Sequence, residues 1–215
     1  MIILFTNLKG GVGKTTLCGM FSTYMTEHGN KVAVIDADIQ QSLYRHRERE
    51  LAQNPSDSPK WQLEPFGISD PETARKVLVR LKEASCDFIF DCPGNLQDPV
   101  LSCLFQAADV AVVPISYDSD SLDATKLFCK VLRQQSKAQV FFVPNSVALV
   151  EERREEIRQE RDKAIDMLKE FGTVTPRIKQ SVTVKDYSTV YPLTSYQRNA
   201  VKYAFDPILG AITNR

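Results

Sequence analysis

An apolar, strand-like run, Met1-Ile2-Ile3-Leu4-Phe5-Thr6-Asn7, leads almost directly into Lys9-Gly10-Gly11-Val12-Gly13-Lys14-Thr15-Thr16. Few local sequences restrict a fold as tightly. Three glycines permit a tight turn whose successive N–H groups converge on one point, an anion-binding nest. Thr16 to His28 reads as a helix, so the positive end of its dipole adds to the same spot. The spacing predicts a phosphate cradle built from Gly10, Gly11, Val12, Gly13, Lys14, Thr15 and Thr16. Lys14 would reach β- and γ-phosphates, and the Thr15 hydroxyl would complete the shell of a Mg²⁺ ion.

The usual pattern, G-x-x-x-x-G-K-S/T, wants a glycine at position 8, where this chain has Leu8. In its place stands K-G-G-x-G-K-T-T, with an additional lysine, Lys9, ahead of the glycines.

Apolar runs of strand length alternate with helix-like segments along the rest of the chain. Candidate strands are 2–7, 31–36, 61–66, 87–91, 110–114 and 139–144, with a weaker one near Val174. Several are continuously apolar, as in a parallel sheet covered on both faces. Candidate helices are 16–28, 70–83, 121–134 and 151–171. The alternation predicts an α/β fold: a doubly wound, mostly parallel sheet flanked by helices. Its 215 residues fit one domain, 1–215, with the stretch from Gln53 to Lys60 as a surface loop.

Lys+Arg and Asp+Glu are both 27, so overall charge draws the chain neither to nucleic acid nor to an anionic membrane. There is no apolar run of about eighteen residues to span a bilayer. The start lacks the charged region of a signal peptide. The five cysteines, with no C-x-x-C, predict reduced thiols packed as small hydrophobes in a cytoplasmic protein.

In such a sheet, ligands bind beyond the carboxyl ends of the strands, so the strand ends read as one site. The second strand ends in Asp36-Ala37-Asp38, two carboxylates spaced by two and placed on one side of an extended backbone. The fourth closes on Asp91, in the manner of a Walker B carboxylate. The sixth ends in Pro144-Asn145, and Asn145 carries the paired donor and acceptor that suit an adenine edge. Each also has an ordinary structural reading, as a helix cap or turn former. The edge shared with the P-loop favours the functional reading for Asp36 and Asp91.

K-G-G-x-G-K-T-T resembles the deviant Walker A motif of the ParA/MinD superfamily, and the likeness extends along most of the chain. D-A-D-I-Q-Q-S is similar to the family's D-x-D-P-Q-x-S, with Ile39 where proline is usual; F-I-F-D-C-P-G resembles its Walker B segment, and V-P-N its base-contacting strand end. The resemblance implies an ATP hydrolase with ATP and Mg²⁺ as cofactors. Lys14 would bind the β/γ-phosphates, and Lys9 would reach across a dimer interface to the partner's nucleotide. Thr15 would ligate Mg²⁺, Asp91 would hold it through its water shell and Asp36 would support the metal and P-loop. Asp38 would position the attacking water and Asn145 would read adenine.

Within the superfamily the chain resembles the compact ParA type, Soj- and ParF-like, because the P-loop begins at residue 9 with no DNA-binding domain before it. That branch implies an ATP-dependent homodimer, non-specific DNA binding, a ParB-like or other small activator, and a cytoplasmic, nucleoid-associated location. Its cargo would be a plasmid, chromosome or mobile element. The alternative is a MinD-like membrane-cycling ATPase with a C-terminal amphipathic helix. Here Asp206-Pro207 interrupts the tail and disfavours one continuous amphipathic stretch, so no stable membrane association is expected. Residues 174–215 hold six Lys/Arg against two acids. Arg177, Lys179, Arg198 and Lys202 are the candidate DNA contacts. The charged helix from 151 reads as a solvated helix with i,i+4 pairs.

Overall fold

The computed structural model describes residues 1–95, 98–117, 119–148 and 155–213. The apolar runs become seven strands: β1 (Ile2–Phe5), β2 (Val32–Asp36), β3 (Gln62–Pro65), β4 (Asp87–Asp91), β5 (Val110–Ile115), β6 (Gln139–Pro144) and β7 (Thr173–Val174). They form one sheet in the order β3-β2-β4-β1-β5-β6-β7, with parallel pairing throughout. β1 therefore lies between β4 and β5, and the chain order reverses at its carboxyl end. That reversal is where open α/β sheets place a ligand.

Eight helices accompany the strands among the described residues: α1 (Lys14–Glu27), α2 (Ser42–Gln53), α3 (Pro71–Glu83), α4 (Pro99–Ala107), α5 (Ser119–Gln135), α6 (Glu155–Lys169), α7 (Val182–Lys185) and α8 (Ser195–Thr213). Strand periodicity divides the core in two. On β1, Ile3 and Phe5 face a cluster with Leu17, Phe21 and Tyr24 of α1 and Phe205 of α8. Ile2 and Leu4 face the opposite cluster, with Leu78 of α3, Leu104 of α4 and Phe128 of α5. All four β1 residues are fully buried, which explains a continuously apolar strand where an exposed face would demand alternation.

Helix starts follow their capping residues. Asp70 accepts from the Thr73 N–H at 2.8 Å ahead of Pro71, and Asp98 from the Val100 N–H at 2.9 Å ahead of Pro99. Each carboxylate satisfies a backbone N–H that the first turn of the helix leaves unpaired, and the proline that follows needs no such partner.

Four helices lie outside the candidate ranges: α2, α4, the four-residue α7 and α8. α2 buries only Leu43 and Arg47, too thin an apolar stripe to register. α4 buries Val100, Leu101, Cys103, Leu104 and Phe105, apolar on most sides and short. Residues 151–154 of the expected charged helix lie outside the described residues.

The tail requires a correction. α8 runs unbroken from Ser195 to Thr213 with Pro207 inside it. A helix-interior proline costs about 3 kcal/mol. Packing outweighs it: Val201, Phe205, Ile208 and Ile212 are buried, each worth roughly 1.5–3 kcal/mol. Phe205 meets Phe21 edge-on at 5.0 Å and Tyr24 at 5.5 Å. The carbonyl that Pro207 deprives of a donor belongs to Tyr203, which is exposed and open to water.

Candidate functional site

The P-loop is shaped by backbone geometry. Gly11 and Gly13 have φ of 77° and 97°, the left-handed region that favours glycine. Gly13 is the N-cap of α1, and no side chain caps that helix. Its first N–H groups are left to an anion. The Lys14 ammonium donates to the Lys9 carbonyl at 3.3 Å, so both lysines belong to one cluster. A Cβ on Gly94 would stand 3.3 Å from the Lys14 Nζ and 3.5 Å from the Leu8 carbonyl oxygen. Glycine there leaves the Lys14 ammonium room beside the loop after β4, where a Cβ would press on it by a few tenths of an ångström.

Asp91 ends β4 at the floor of the cradle. Both its carboxylate oxygens are buried without a hydrogen-bond partner of ordinary geometry among the described residues. Burial pushes its pKa up to about 8; the Thr15 hydroxyl and Lys14 ammonium offset part of this, while Asp36 and Asp38 add to it. An orphaned buried carboxylate beside a hydroxyl is an unmet demand for a cation or proton. Thr15 and Asp91 fit a Mg²⁺ ion on this ground. Among the described residues no three His, Cys, Asp or Glu side chains form a metal cluster; a Mg²⁺ ion held here would take waters and substrate phosphates for the rest of its shell.

Asp36 ends β2, fully buried. Its Oδ1 accepts from the Asp38 N–H at 3.2 Å and its Oδ2 from the Leu43 and Tyr44 N–H groups, both at 3.0 Å. Burial raises its pKa and these three backbone bonds counter it. Asp36 thereby caps α2, whose own N-cap residue Gln41 contributes no side-chain bond. The extended backbone expected through Asp38 stops at Asp36, where the chain turns. Asp38 is half-buried on that turn and accepts from the Gln40 N–H at 2.9 Å. A cavity of about 530 Å³ runs alongside it, lined by Asp38, Ile39, Phe66, Ile68, Pro93 and Leu101 among others. No P-loop residue lines this cavity; it flanks the nucleotide position and does not cover it.

Asn145 follows β6, as expected, but its Nδ2 donates to the Val12 carbonyl at 2.9 Å. In this conformation it clamps the P-loop. Of the candidate DNA contacts, Arg177, Lys179 and Lys202 are exposed. Arg198 is engaged elsewhere: it pairs with Glu27 at 3.0 Å and donates to the Leu193 carbonyl at 3.2 Å.

The family described as the CobQ/CobB/MinD/ParA nucleotide binding domain matches residues 3–187. No curated protein sequence matches significantly. The fold is similar to a substituted Cyanothece McdA in complex with ATP, at 16% identity and a TM-score of 0.74, covering 98% of this chain and 95% of that one. It is similar to MinD in the MinC:MinD cell division complex of Aquifex aeolicus, at 18% identity and 0.75, covering 100% and 96%. A putative plasmid partition protein of Borrelia burgdorferi bound to AMPPNP gives 17% and 0.69, covering 99% and 98%. At these identities the likeness carries the fold, and the family match carries the assignment. With its seven-stranded parallel sheet and its P-loop at the reversal of strand order, the chain belongs to the ParA/MinD superfamily of nucleotide-binding proteins.

Proposed function

We propose that this protein is a ParA-type ATPase that dimerises on binding Mg-ATP, binds DNA without sequence preference, and is reset by hydrolysis. The observation that carries the reading is the cradle. An uncapped helix N-terminus, two lysines joined through the Lys9 carbonyl, and an orphaned Asp91 carboxylate meet at the adjacent carboxyl ends of β1 and β4. Such a site is built for a polyphosphate with its divalent cation.

Each side chain has a task in that chemistry. Lys14 neutralises the β/γ-phosphates, and Thr15 with Asp91 holds Mg²⁺, which supplies further charge neutralisation when bound. Asp36 fixes the turn that presents Asp38, and Asp38 orients the attacking water. Lys9 acts across the dimer on the partner's nucleotide. Asn145 holds the P-loop through Nδ2 and offers Oδ1 to adenine.

Lys179 and Lys202, exposed on one end of the chain, contribute to DNA contact together with Arg177. Doubling a weak basic patch by dimerisation makes it effective, because each phosphate contact adds about one unit to the salt dependence. A ParB-like activator would trigger hydrolysis in the segregation or positioning of a plasmid, chromosome or mobile element, on the nucleoid. A membrane-cycling role through α8 is not favoured, because the apolar face of α8 packs against α1.

The test is ATP hydrolysis and nucleotide-dependent binding measured with duplex DNA, with anionic vesicles, and with neither. Stimulation or ATP-dependent binding by DNA alone supports the proposal. Binding to vesicles but not DNA overturns it.

A further inference from the structure

The last ladder bond of β1 to β5 runs from the Thr6 N–H to the Val112 carbonyl at 3.0 Å. In a parallel pair the next β5 carbonyl facing β1 is two residues on, at Pro114, and a strand that continued would satisfy it from its own backbone. Here the chain has already turned into the P-loop, and the Asn7 side chain takes over. Its Nδ2 donates to the Pro114 carbonyl at 2.8 Å and to the Thr125 Oγ1 of α5 at 3.2 Å. Its Oδ1 accepts from the Lys9 N–H at 3.4 Å, an Asx-type link to the residue two positions on. Asn7 is 1% exposed and Thr125 0%. Water cannot replace a missing partner there, so these bonds are costly to lose. One side chain therefore ties β5, α5 and the first residue of the P-loop motif together. The Lys9 backbone so held is the one whose carbonyl engages the Lys14 ammonium.

We propose that Asn7 is a positioning residue for Lys9. Its amide, anchored by Pro114 and Thr125, fixes the Lys9 backbone, and with it the origin of the Lys9 side chain and the carbonyl that holds Lys14. The inference rests on the role given to Lys9 above. Aspartate cannot substitute, because it would turn an acceptor toward the Pro114 carbonyl. Alanine leaves both that carbonyl and the Lys9 N–H unpaired.

The test is a double-mutant cycle on the full chain: Asn7→Ala, Lys9→Ala and the pair, each read by ATP turnover and by ATP affinity from calorimetry. Asn7→Ala is expected to lose roughly tenfold or more in turnover while ATP affinity changes less than about threefold, and the double variant to be no slower than Lys9→Ala. Losses that multiply in the double variant, or wild-type turnover in Asn7→Ala, overturn the inference alone. Wild-type turnover in Lys9→Ala overturns the role of Lys9, and the inference with it. Should Asn7→Ala fail to fold, the nearly isosteric Thr125→Val enters the same cycle. It is expected to slow turnover in the wild-type background, to add nothing to Lys9→Ala, and to be rescued by Thr125→Ser. A Thr125→Val variant with unchanged turnover would overturn the inference.

Discussion

Gly13 and Asn145 share a single volume: a Cβ on Gly13 would lie 2.2 Å from the Asn145 Nδ2, which itself donates to the Val12 carbonyl at 2.9 Å. Residues more than a hundred positions apart thus fix the last turn of the P-loop. The left-handed φ of Gly13 and the seat of Asn145 strain any other residue at that position.

Gly13→Ala is accordingly expected to weaken ATP binding at least 100-fold, about 3 kcal/mol. Both the strained φ and the displaced Asn145 distort the nest. Lys14→Ala, which removes the cation from an otherwise intact loop, should match or exceed that loss. Calorimetry with Mg-ATP checks both, and near-normal affinity in either would contradict the cradle.

Asp38→Ala separates binding from chemistry. The Asp38 carboxylate accepts from the nearby Gln40 N–H and lies outside the phosphate cradle, so its removal should leave ATP affinity within a few-fold. Turnover should fall by about 10²-fold or more, because orienting water is a transition-state contribution. Sizing columns run with ATP should still show association; a monomeric variant would place Asp38 in assembly.

Lys179→Glu with Lys202→Glu should weaken ATP-dependent DNA binding uniformly across unrelated duplexes, with a shallower salt dependence by roughly two units per monomer. Arg198→Glu should instead destabilise the fold, since Arg198 ties α8 to Glu27. Gel shifts and melting curves tell the two effects apart. Equal DNA affinity with ADP and ATP in the wild-type protein would remove the nucleotide switch.

Acid sensitivity is expected at Glu50 of α2. Burial pulls its carboxyl upward, but hydrogen bonds from Ser188 and Thr189 and the nearby His46 outweigh it and hold the pKa below the ordinary 4.5. A carboxyl depressed on folding stabilises the protein above its unfolded pKa and ceases to as pH falls through the folded value. The melting-temperature gap between wild type and Glu50→Gln should therefore narrow as the pH falls below 4.5. A gap that widens with acid would refute this assignment.

Phe205→Ala should cost about 3–5 kcal/mol, the usual range for emptying a buried aromatic site, because Phe205 packs edge-on against both Phe21 and Tyr24. Denaturant melts give the value. A loss below about 1 kcal/mol would show that α8 is not integral to the core.

Local sequence determined much of this protein. Strand periodicity, the glycines of the P-loop and Lys9 before them act through nearest neighbours, and so the α/β alternation, the cradle and the carboxylates at strand ends were legible along the chain. What required the tertiary structure was every relationship made across elements. Pro207 breaks a helix by local rules, yet α8 continues because Phe21 and Tyr24 supply more burial than the proline removes. Asp36 looks like a metal ligand in isolation, and its three backbone partners, two of them in α2, became visible only once the turn was folded. Arg198 looked available to a phosphate until Glu27 of α1 came beside it. Asn7 gave no signal of its own, because its partner Thr125 lies 118 positions away. Periodicity and motif spacing record short-range sterics, whereas long-range hydrogen bonds and close approaches are fixed by the packing of the whole sheet.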